Sequence, residues 1–270
     1  MKTSIAILLF FIFTSPVFAQ QEHPAETYAD TGIPADETGA ARPSGFHGVL
    51  GGGFFTEHRI FGDNHLMIAV TPVFLMRYED IAYWSLNSGG VWLAQTADHS
   101  LRFGAGARRH PAWANGFDPF RVGMAERTGS IDGCLNAVWR SSLAIVGIRY
   151  YHDIVHESRG DSASIRISKK IDLGHGLQLI PSIGAERQSK AQVDYYYGVR
   201  PEEELPTRPA YTGVSTINVN LGVAGLYDLS HSWSLLGGLF VTRYGDGIVD
   251  SPIVTLRYQP LIYLGAGWRF

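Results

Sequence analysis

The last twenty residues, Ser251–Phe270, read SPIVTLRYQPLIYLGAGWRF. Counting back from the C-terminal end, every second residue is Phe270, Trp268, Ala266, Leu264 and Ile262, and the residues between them are Arg269, Gly267, Gly265, Tyr263 and Leu261. One face of such a strand can contact lipid while the other faces a lumen of polar or small residues, which is the two-residue period of an outer-membrane β-strand. The stretch therefore predicts an all-β protein, a transmembrane antiparallel β-barrel in the outer membrane of a Gram-negative bacterium.

The other end of the chain reads as a secretory leader. Lys2 supplies positive charge, Ile5–Phe13 is an apolar core, and Val17-Phe18-Ala19 is a small-residue cleavage site. The apolar core is too short to cross a bilayer as a helix. We expect a signal peptide over residues 1–19, a disordered periplasmic tail over residues 20–44, which lack periodicity, and the barrel over residues 45–270.

The composition fits a membrane barrel better than a soluble enzyme. Charged residues make up 17% of the chain, below the usual quarter, and the 31 Gly, 6 Trp, 13 Tyr and 14 Phe suit tight turns and interfacial girdles. The net charge of −3 gives no basic surplus, so nucleic acid is excluded as an expected partner. The single cysteine, Cys134, cannot form an internal disulfide, and its position predicts a small lumen-side residue.

Period-two alternation recurs along the chain and sets the strand count. Ile165, Ile167, Ile171 and Leu173, for example, alternate with Ser164, Arg166, Ser168, Lys170 and Asp172. Twelve strands are predicted, over residues 46–56, 64–73, 74–84, 89–97, 99–108, 129–139, 142–152, 160–173, 175–188, 212–228, 231–244 and 253–270. Ten and fourteen strands stay open because the region from Val73 to Trp92 divides ambiguously.

The connections between these strands alternate between short and long. Short turns of outer-membrane barrels lie in the periplasm and long loops lie outside, so both termini are predicted to be periplasmic. Barrel closure must pair the last strand with the first, near Gly45–Phe55, because an unpaired edge in hydrocarbon leaves backbone groups unsatisfied. By resemblance to other outer-membrane barrels, Phe270 also serves as a signal for the barrel assembly machinery.

Three polar motifs contain residue types that occur in catalytic or metal-binding sites. His152 and His156 are four residues apart around Asp153, but they follow a strand into a loop, and a strand separates such residues by about 13 Å. Asp228–Ser232 (DLSHS) contains the residue types of a hydrolase triad, yet sequence neighbours cannot normally adopt that geometry. Glu202–Glu204 is an acidic loop run, with cation binding as an alternative. No catalytic residue, cofactor or metal site is predicted.

A tyrosine cluster is the strongest candidate for a contact surface. Four tyrosines fall within 17 residues, in a segment that also holds three prolines: Tyr195, Tyr196, Tyr197 and Tyr211. Prolines stiffen the connection, and tyrosine rings require contacts to offset their exposure. We predict that the four rings lie close together at the extracellular rim, in a folded loop over part of the barrel mouth.

The same residues resemble a known family. The stretch YYYGVRPEEELPTRPAYTG (Tyr195–Gly213), with GDGIVDSPIV (Gly245–Val254) and the terminal aromatic strand, resembles the MipA/OmpV family of outer-membrane proteins. The resemblance extends over essentially the whole barrel. It implies a barrel without established catalysis, surrounded by outer-membrane lipid and lipopolysaccharide. Some members are scaffolds between a lytic transglycosylase and a penicillin-binding protein, and others are surface antigens or adhesins.

Three functions follow in order of preference. The first is a non-enzymatic structural or interaction barrel that acts as a scaffold for murein-synthesis enzymes. The second is a narrow solute channel whose selectivity is set by lumen charges: Arg102, Arg166, Lys170, Asp172 and Glu186. The third, much weaker, is an outer-membrane lipid hydrolase.

Overall fold

The computed structural model describes residues 45–62, 66–79, 81–110 and 121–270. In these ranges the chain forms one antiparallel sheet of thirteen strands. They are β1 Phe46–His58, β2 Leu66–Tyr78, β3 Ala82–Ser85, β4 Ser88–Gln95, β5 Leu101–His110, β6 Ser130–Arg140, β7 Ile145–Asp153, β8 Asp161–Ser168, β9 Ile171–Asp172, β10 Leu177–Gln188, β11 Thr216–Asp228, β12 Trp233–Arg243 and β13 Tyr258–Arg269. The predicted signal peptide and periplasmic tail lie outside the described residues.

The sheet closes into a barrel of twelve strands. β8 and β9 are two pieces of one strand, since both pair with the same edge of β10. β13 pairs with β1 from Leu261 opposite Glu57 to Arg269 opposite Val49. Gly48 and Phe270 then exchange backbone hydrogen bonds of 3.0 and 3.2 Å at the end of this seam. The predicted barrel, its strand count and the pairing of its last strand with its first are confirmed.

The two faces of each strand differ as the alternation predicts. On β13 the side chains of Ile262, Leu264 and Trp268 are 51%, 49% and 45% exposed, whereas Gln259 and Leu261 point inward and are buried. Along the neighbouring strands the inward positions carry buried polar groups, including Arg166, Glu186 and Asn218. Apolar residues outside and hydrogen-bonding residues inside are what a bilayer requires of a barrel.

The two ends of the barrel are unequal. The turn end carries residues 79, 81, 96–100, 141–144, 173–176 and 229–232, together with the start of β1 and the end of β13. The loop end carries the longer connections, of which residues 59–62, 121–129, 154–160, 189–215 and 244–257 are described, and the two-residue link between β3 and β4. Large aromatic side chains are exposed near the turn end and form a girdle typical of a membrane boundary: Phe46, Trp139, Tyr227, Trp233, Trp268 and Phe270. No helix in the described ranges is long and apolar enough to cross a bilayer.

Two predicted boundaries are wrong by five residues or more. Strands were expected over residues 64–73 and 74–84, but β2 runs through to Tyr78 and β3 keeps only Ala82–Ser85. Pro72 lies within β2, and the chain turns between Tyr78 and Ala82. The last strand was expected from residue 253, yet it begins at Tyr258 because Ile253 and Val254 are buried in the folded loops instead.

Candidate functional site: the capped mouth and the charged lumen

Four described segments at the loop end fold together into a compact unit, called the cap here: residues 59–62, 121–129, 189–215 and 244–257. Its interior is an apolar cluster contributed by all four segments: Ile60, Phe61, Met124, Val193, Tyr196, Tyr197, Val199, Tyr244, Ile248, Ile253 and Val254. Backbone contacts also join the segments, since Thr255 N–H donates to the Ile60 carbonyl at 2.8 Å. The cap therefore has a hydrophobic core of its own above the barrel mouth.

A short helix, Lys190–Tyr197, is the central element of the cap. The Ser189 side chain accepts a hydrogen bond from the Gln192 N–H at its start, which is the usual role of an N-cap serine. The helix ends at Gly198, where an added Cβ would lie 2.3 Å from the Asp194 carbonyl oxygen. The Asp194 carboxylate accepts the Gly213 N–H at 2.7 Å and ties the far end of the loop back to the helix.

All four tyrosines belong to the cap, but they differ in burial. Tyr196 and Tyr197 are each 1% exposed, so their rings belong to the core and cannot contact a partner protein. Tyr195 and Tyr211 pack against that core and keep exposed surface. The Tyr211 hydroxyl donates to the Gly247 carbonyl at 2.8 Å, and burial raises the pKa of the Tyr197 hydroxyl well above its ordinary range. A contact role remains a prediction for Tyr195 and Tyr211.

A buried ion pair crosses the cap beside this cluster. Arg127 donates to both carboxylate oxygens of Glu203, from Nη1 at 3.0 Å and from Nη2 at 2.9 Å. The same carboxylate accepts the backbone N–H groups of Ala125 and Arg200, and Arg208 donates to the Glu203 carbonyl. Burial alone would raise the pKa of Glu203, but the bonds from Arg127 and the two N–H groups lower it to about 2. The pair joins two loops 76 residues apart in sequence.

The lumen below the cap is lined by paired charges. Arg108 Nε donates to Asp132 at 3.1 Å, and its Nη2 reaches Glu186 at 3.4 Å and Ser162 at 3.1 Å. Its guanidinium carbon also lies 3.6 Å from the ring centroid of Tyr151. Four strands therefore converge on one arginine side chain, which fixes this layer of the lumen.

An apolar layer fills one side of the lumen nearer the turn end. Phe240 and Tyr263 pack against this layer. Its buried residues point inward and lie toward the turn ends of their strands: Val49, Val73, Leu75, Ile180, Ala224, Leu226 and Leu236. Among the residues predicted to set selectivity, Arg102, Arg166 and Glu186 face the lumen and are buried, whereas Asp172 is exposed. Side chains thus occupy the lumen in two layers.

A small pocket of about 20 Å³ opens in the upper lumen between β3 and β7. The side chains that shape it are Tyr83, Ser88, Arg108, Cys134, Arg149 and Tyr151. Cys134 is buried on the inward face, as predicted. A pocket of this size has room for a water molecule or a similarly compact group.

The aspartates of the two histidine-containing motifs make structural hydrogen bonds and ion pairs. Asp153 accepts the N–H groups of residues 155, 156, 158 and 159 and so holds the loop that follows β7. Asp228 binds the Arg269 guanidinium at 2.8 Å and the Ser234 hydroxyl at 3.1 Å across the turn. The described residues contain no group of three or more His, Cys, Asp and Glu arranged to hold a metal ion.

Sequence reasoning missed the two arginines that organise the site. Arg127 lies in a loop without periodicity, and Arg108 was not distinguished from other inward positions. Glu203 was treated as part of a solvated acidic run, which describes Glu202 and Glu204 but not Glu203, at 4% exposure. The available signal was Pro201 two residues before it, which starts the short 3-10 helix Pro201–Glu203 that turns the middle acid inward.

Comparison with known proteins gives one family. The model of the family described as MltA-interacting protein MipA matches residues 50–270. Outer membrane protein Omp26La of Vibrio anguillarum is 31% identical over 148 residues, which span 55% of this chain and 57% of that protein. Outer membrane protein OmpV of Vibrio cholerae gives the same identity and coverage. The MltA-interacting protein of Escherichia coli K12 is 33% identical over 101 residues, 35% of this chain and 39% of that protein.

Solved structures are more distant. The anion-selective porin from Comamonas acidovorans is 12% identical, with a TM-score of 0.36 over 74% of this chain and 55% of the porin. The chain spans little more than half the length of the Vibrio relatives that it matches.

Proposed function

The chain belongs to the MipA family of outer-membrane proteins, and from that membership we propose that it is a non-enzymatic interaction barrel that acts as a scaffold for murein-synthesis enzymes. It resides in the outer membrane of a Gram-negative bacterium. Lipid and lipopolysaccharide surround its apolar wall, and the barrel assembly machinery acts on the strand that ends at Phe270. The Escherichia coli relative carries the name MltA-interacting protein, which supports a cell-wall enzyme as partner.

The observation that carries the proposal is the cap. A loop end held by an apolar core and a buried ion pair supports a rigid body rather than an open passage. The paired charges around Arg108 support the same conclusion for the lumen. Asp153 between the two histidines holds a loop, and Asp228 of the triad-like motif holds a turn, which supports a role without catalysis.

The turn end is the face that we assign to the partner. Short turns of outer-membrane barrels face the periplasm, where murein enzymes work. Four of its turns carry an aliphatic side chain that is more than half exposed: Ile81 at 51%, Leu143 at 75%, Leu173 at 52% and Leu229 at 60%. Apolar tips projecting from polar turns offer a partner the kind of anchor that contributes most binding energy at interfaces.

A capture experiment tests the scaffold. The full-length barrel, folded in detergent, is immobilised and exposed to a lytic transglycosylase and a bifunctional penicillin-binding protein from the same cell. We expect both enzymes to be retained, and a variant with Ile81, Leu143, Leu173 and Leu229 changed to serine to lose them while remaining folded. The matched control is Leu205→Ser, an exposed leucine of the cap at 46%, which should bind as the parent does. Failure of the parent barrel to retain either enzyme would overturn the scaffold role.

A further inference from the structure

Two exposed arginines lie on the outer wall of the barrel at its loop end. Arg187 is the last outward residue of β10, and Arg243 is the last outward residue of β12. β11 runs between them, and its residue Ile217 lies opposite Arg187. Val219, which follows on the same face of β11, lies opposite Arg243. Two strand spacings across the sheet and two residues along it place the two Cα atoms roughly 12 Å apart, so both guanidinium groups can contact one ligand that lies over β11.

Tyrosines in the same cross-strand rows place both arginines at a membrane boundary. Tyr258 of β13 lies directly opposite Arg243. Tyr150 of β7 lies in the row of Arg187, because Ala163 of β8 is opposite both of them. The two tyrosines are 55% and 46% exposed on the outer wall, which is typical of an interfacial aromatic girdle.

The height of the apolar wall agrees with that boundary. Ile217, in the row of Arg187, and Tyr227, in the girdle of the turn end, are about 33 Å apart along β11. At a strand tilt of about 40°, this length corresponds to a height of about 25 Å, which is the height of the apolar band of outer-membrane barrels. The two arginines therefore lie where hydrocarbon ends and charged headgroups begin.

No protein group in the described ranges binds either guanidinium. The strands from β6 to β13 and the loops that join them are all described, and neither the Arg187 nor the Arg243 side chain forms a hydrogen bond or an ion pair there. Asp246 lies close enough to act on Arg243, but its carboxylate is bound by Arg257 at 2.7 Å. Asp161 of β8 makes no ion pair with Arg187. Both guanidinium groups are thus left to solvent or to a ligand.

This face of the loop end carries an excess of positive charge. The last outward positions of β10 to β13, with the three cap residues next to each of these strands, hold four cations and one carboxylate: Arg187, Lys190, Arg243, Arg257 and Asp246. Asp161, at the start of the neighbouring β8, leaves an excess of two. The outward residues at the opposite ends of the same strands are uncharged: Leu177, Tyr227, Trp233 and Trp268. On this face the excess therefore belongs to the loop end.

We propose that Arg187 and Arg243 bind the phosphate groups of one lipopolysaccharide molecule, whose acyl chains lie along the wall below them. A guanidinium group matches a phosphate through paired N–H donors, and each such bond is strengthened by the opposite charges. The outward side chains below the arginines are aliphatic: Ile183, Leu221 and Leu239, at 51%, 61% and 48% exposure. They supply the apolar surface that acyl chains require.

Lipopolysaccharide fits this face better than a phospholipid does. It carries phosphates on both sugars of its lipid A headgroup, and the two arginines are spaced on either side of β11 rather than side by side. It also occupies the outer leaflet, which is the leaflet at the loop end when the short turns face the periplasm. The site rests on the orientation in the proposed function, but not on murein enzymes as partners.

Lipid binding to the folded barrel in a neutral maltoside detergent tests the site. The probes are bisphosphorylated lipid A, lipid A without phosphates and phosphatidylglycerol, and native mass spectrometry gives the stoichiometry. We expect one bisphosphorylated lipid A per barrel and at least tenfold weaker binding of the other two lipids. The double variant Arg187→Gln/Arg243→Gln should lose at least tenfold in affinity for lipid A. Lys169→Gln/Arg200→Gln, which removes two exposed cations outside the site, is the matched control and should bind as the parent does.

Equal affinity for lipid A in the parent and in the Arg187→Gln/Arg243→Gln variant would overturn the site, as would equal binding of lipid A without phosphates. Preferential binding of phosphatidylglycerol would overturn the choice of lipopolysaccharide. A barrel dimer that forms in the parent and is lost in the same double variant would assign the arginines to a second copy of the chain instead. Heat-modifiable gel mobility verifies that every variant is folded.

Labelling of intact cells separates the site from the orientation on which it rests. Glu202→Cys places a thiol on the exposed surface of the cap, whereas Cys134 is buried. A membrane-impermeant maleimide should label this variant in intact cells and leave the parent unlabelled. Labelling only after lysis would overturn the orientation, and with it both the site and the partner face at the turn end. Labelling of intact cells together with undiminished lipid A binding in the arginine variant would overturn the site alone.

Discussion

At the residue scale, the buried pair of Arg127 and Glu203 is the feature with the most consequences. Each side chain is removed from water, and each is compensated by the other and by backbone groups. Breaking a buried pair leaves an uncompensated charge and typically costs about 3–5 kcal/mol. The cap therefore depends on two side chains that lie in different loops.

We expect Glu203→Gln to loosen the cap by about 3–5 kcal/mol, because the Arg127 charge would lose its counterion inside the protein. The measurement is limited proteolysis of residues 189–215 in folded barrels, with heat-modifiable gel mobility as the check on the barrel itself. Glu202→Gln, the exposed neighbour, is the control. Equal protease resistance in the two variants would show that the pair does not hold the cap.

The same carboxylate gives the cap a pH dependence. The pKa of Glu203 in the folded protein is about 2, below the ordinary value of 4.5. A depressed pKa contributes stability that is fully present above pH 4.5 and is lost as the pH falls toward 2. We expect hydrogen exchange in residues 189–215, corrected for its intrinsic pH dependence, to accelerate over that window in the parent protein. In Glu203→Gln the window should be flat, and an unchanged profile there would assign the titration to another group.

At the scale of elements, the prolines within strands mark where the sheet stops pairing. Pro72 lies where β2 pairs with no further strand of the described residues on its β3 side, and Pro260 lies one residue beyond the last β1–β13 pair. Pro181 sits in β10 opposite the break between β8 and β9. In each case the missing N–H falls where a ladder bond is not made.

We predict that Pro72→Ala destabilises the barrel by about 1–3 kcal/mol, because it adds a backbone N–H at an exposed edge that pairs with no strand of the described residues. Urea unfolding in lipid vesicles measures the effect. Pro206→Ala, in an exposed part of the cap, corrects for the flexibility that any loss of proline adds to the unfolded chain. Stabilisation by Pro72→Ala would mean that another strand does pair with β2.

The β1–β13 seam is the element on which closure depends. Glycines line its inner face, and a Cβ at Gly51 would lie 2.0 Å from the Ala266 carbonyl oxygen, so the two strands approach closely only because side chains are absent. The Phe270 ring stacks on Trp268 at 5.3 Å and its backbone bonds to Gly48. Phe270 therefore contributes both a ring contact and two backbone hydrogen bonds to the seam.

Deletion of Phe270 should lower the amount of folded barrel in the outer membrane, with normal synthesis and normal cleavage of the predicted leader. The deletion removes the two bonds to Gly48, whereas Phe270→Ala keeps them and removes only the ring. Heat-modifiable mobility in isolated outer membranes reports folding for both. If the assembly machinery reads the aromatic ring, both variants fail, and if closure alone matters, only the deletion does. Wild-type folding of the deletion would refute both roles of Phe270.

At the scale of the whole molecule, the alternative function as a narrow solute channel requires an open lumen, which can be tested directly. The cap and the two filled layers of the lumen lead us to expect no discrete conductance steps when the parent barrel is placed in a planar bilayer. Glu203→Gln, with its cap loosened, should remain silent as well, because Arg108 and its partners still occupy the lumen. Regular steps in the parent protein would restore the channel and contradict the closed barrel.

The chain's alternation was enough to predict the barrel, its twelve strands, the faces of those strands and the closing seam. Each depends on a local rule, since a strand has a two-residue period wherever it lies and lipid demands apolar side chains on one face. The predicted bounds of β2 and β3 were wrong because β2 continues through Pro72, which it can do because β3, its neighbour, is short. The length of a neighbouring strand depends on pairing and cannot be read from the local sequence. The start of β13 was wrong because the packing of Ile253 and Val254 in the cap outweighs their suitability for a strand.

The sequence by itself thus determined the class of fold, the membrane it occupies and the composition of each face, because those follow from periodicity and from the solvent on each side. Only the tertiary structure decided that Glu203 is buried against Arg127 and that Arg108 joins Asp132 and Glu186. Those features depend on contacts between residues 24 to 78 positions apart, and no local pattern encodes which distant side chain will meet which.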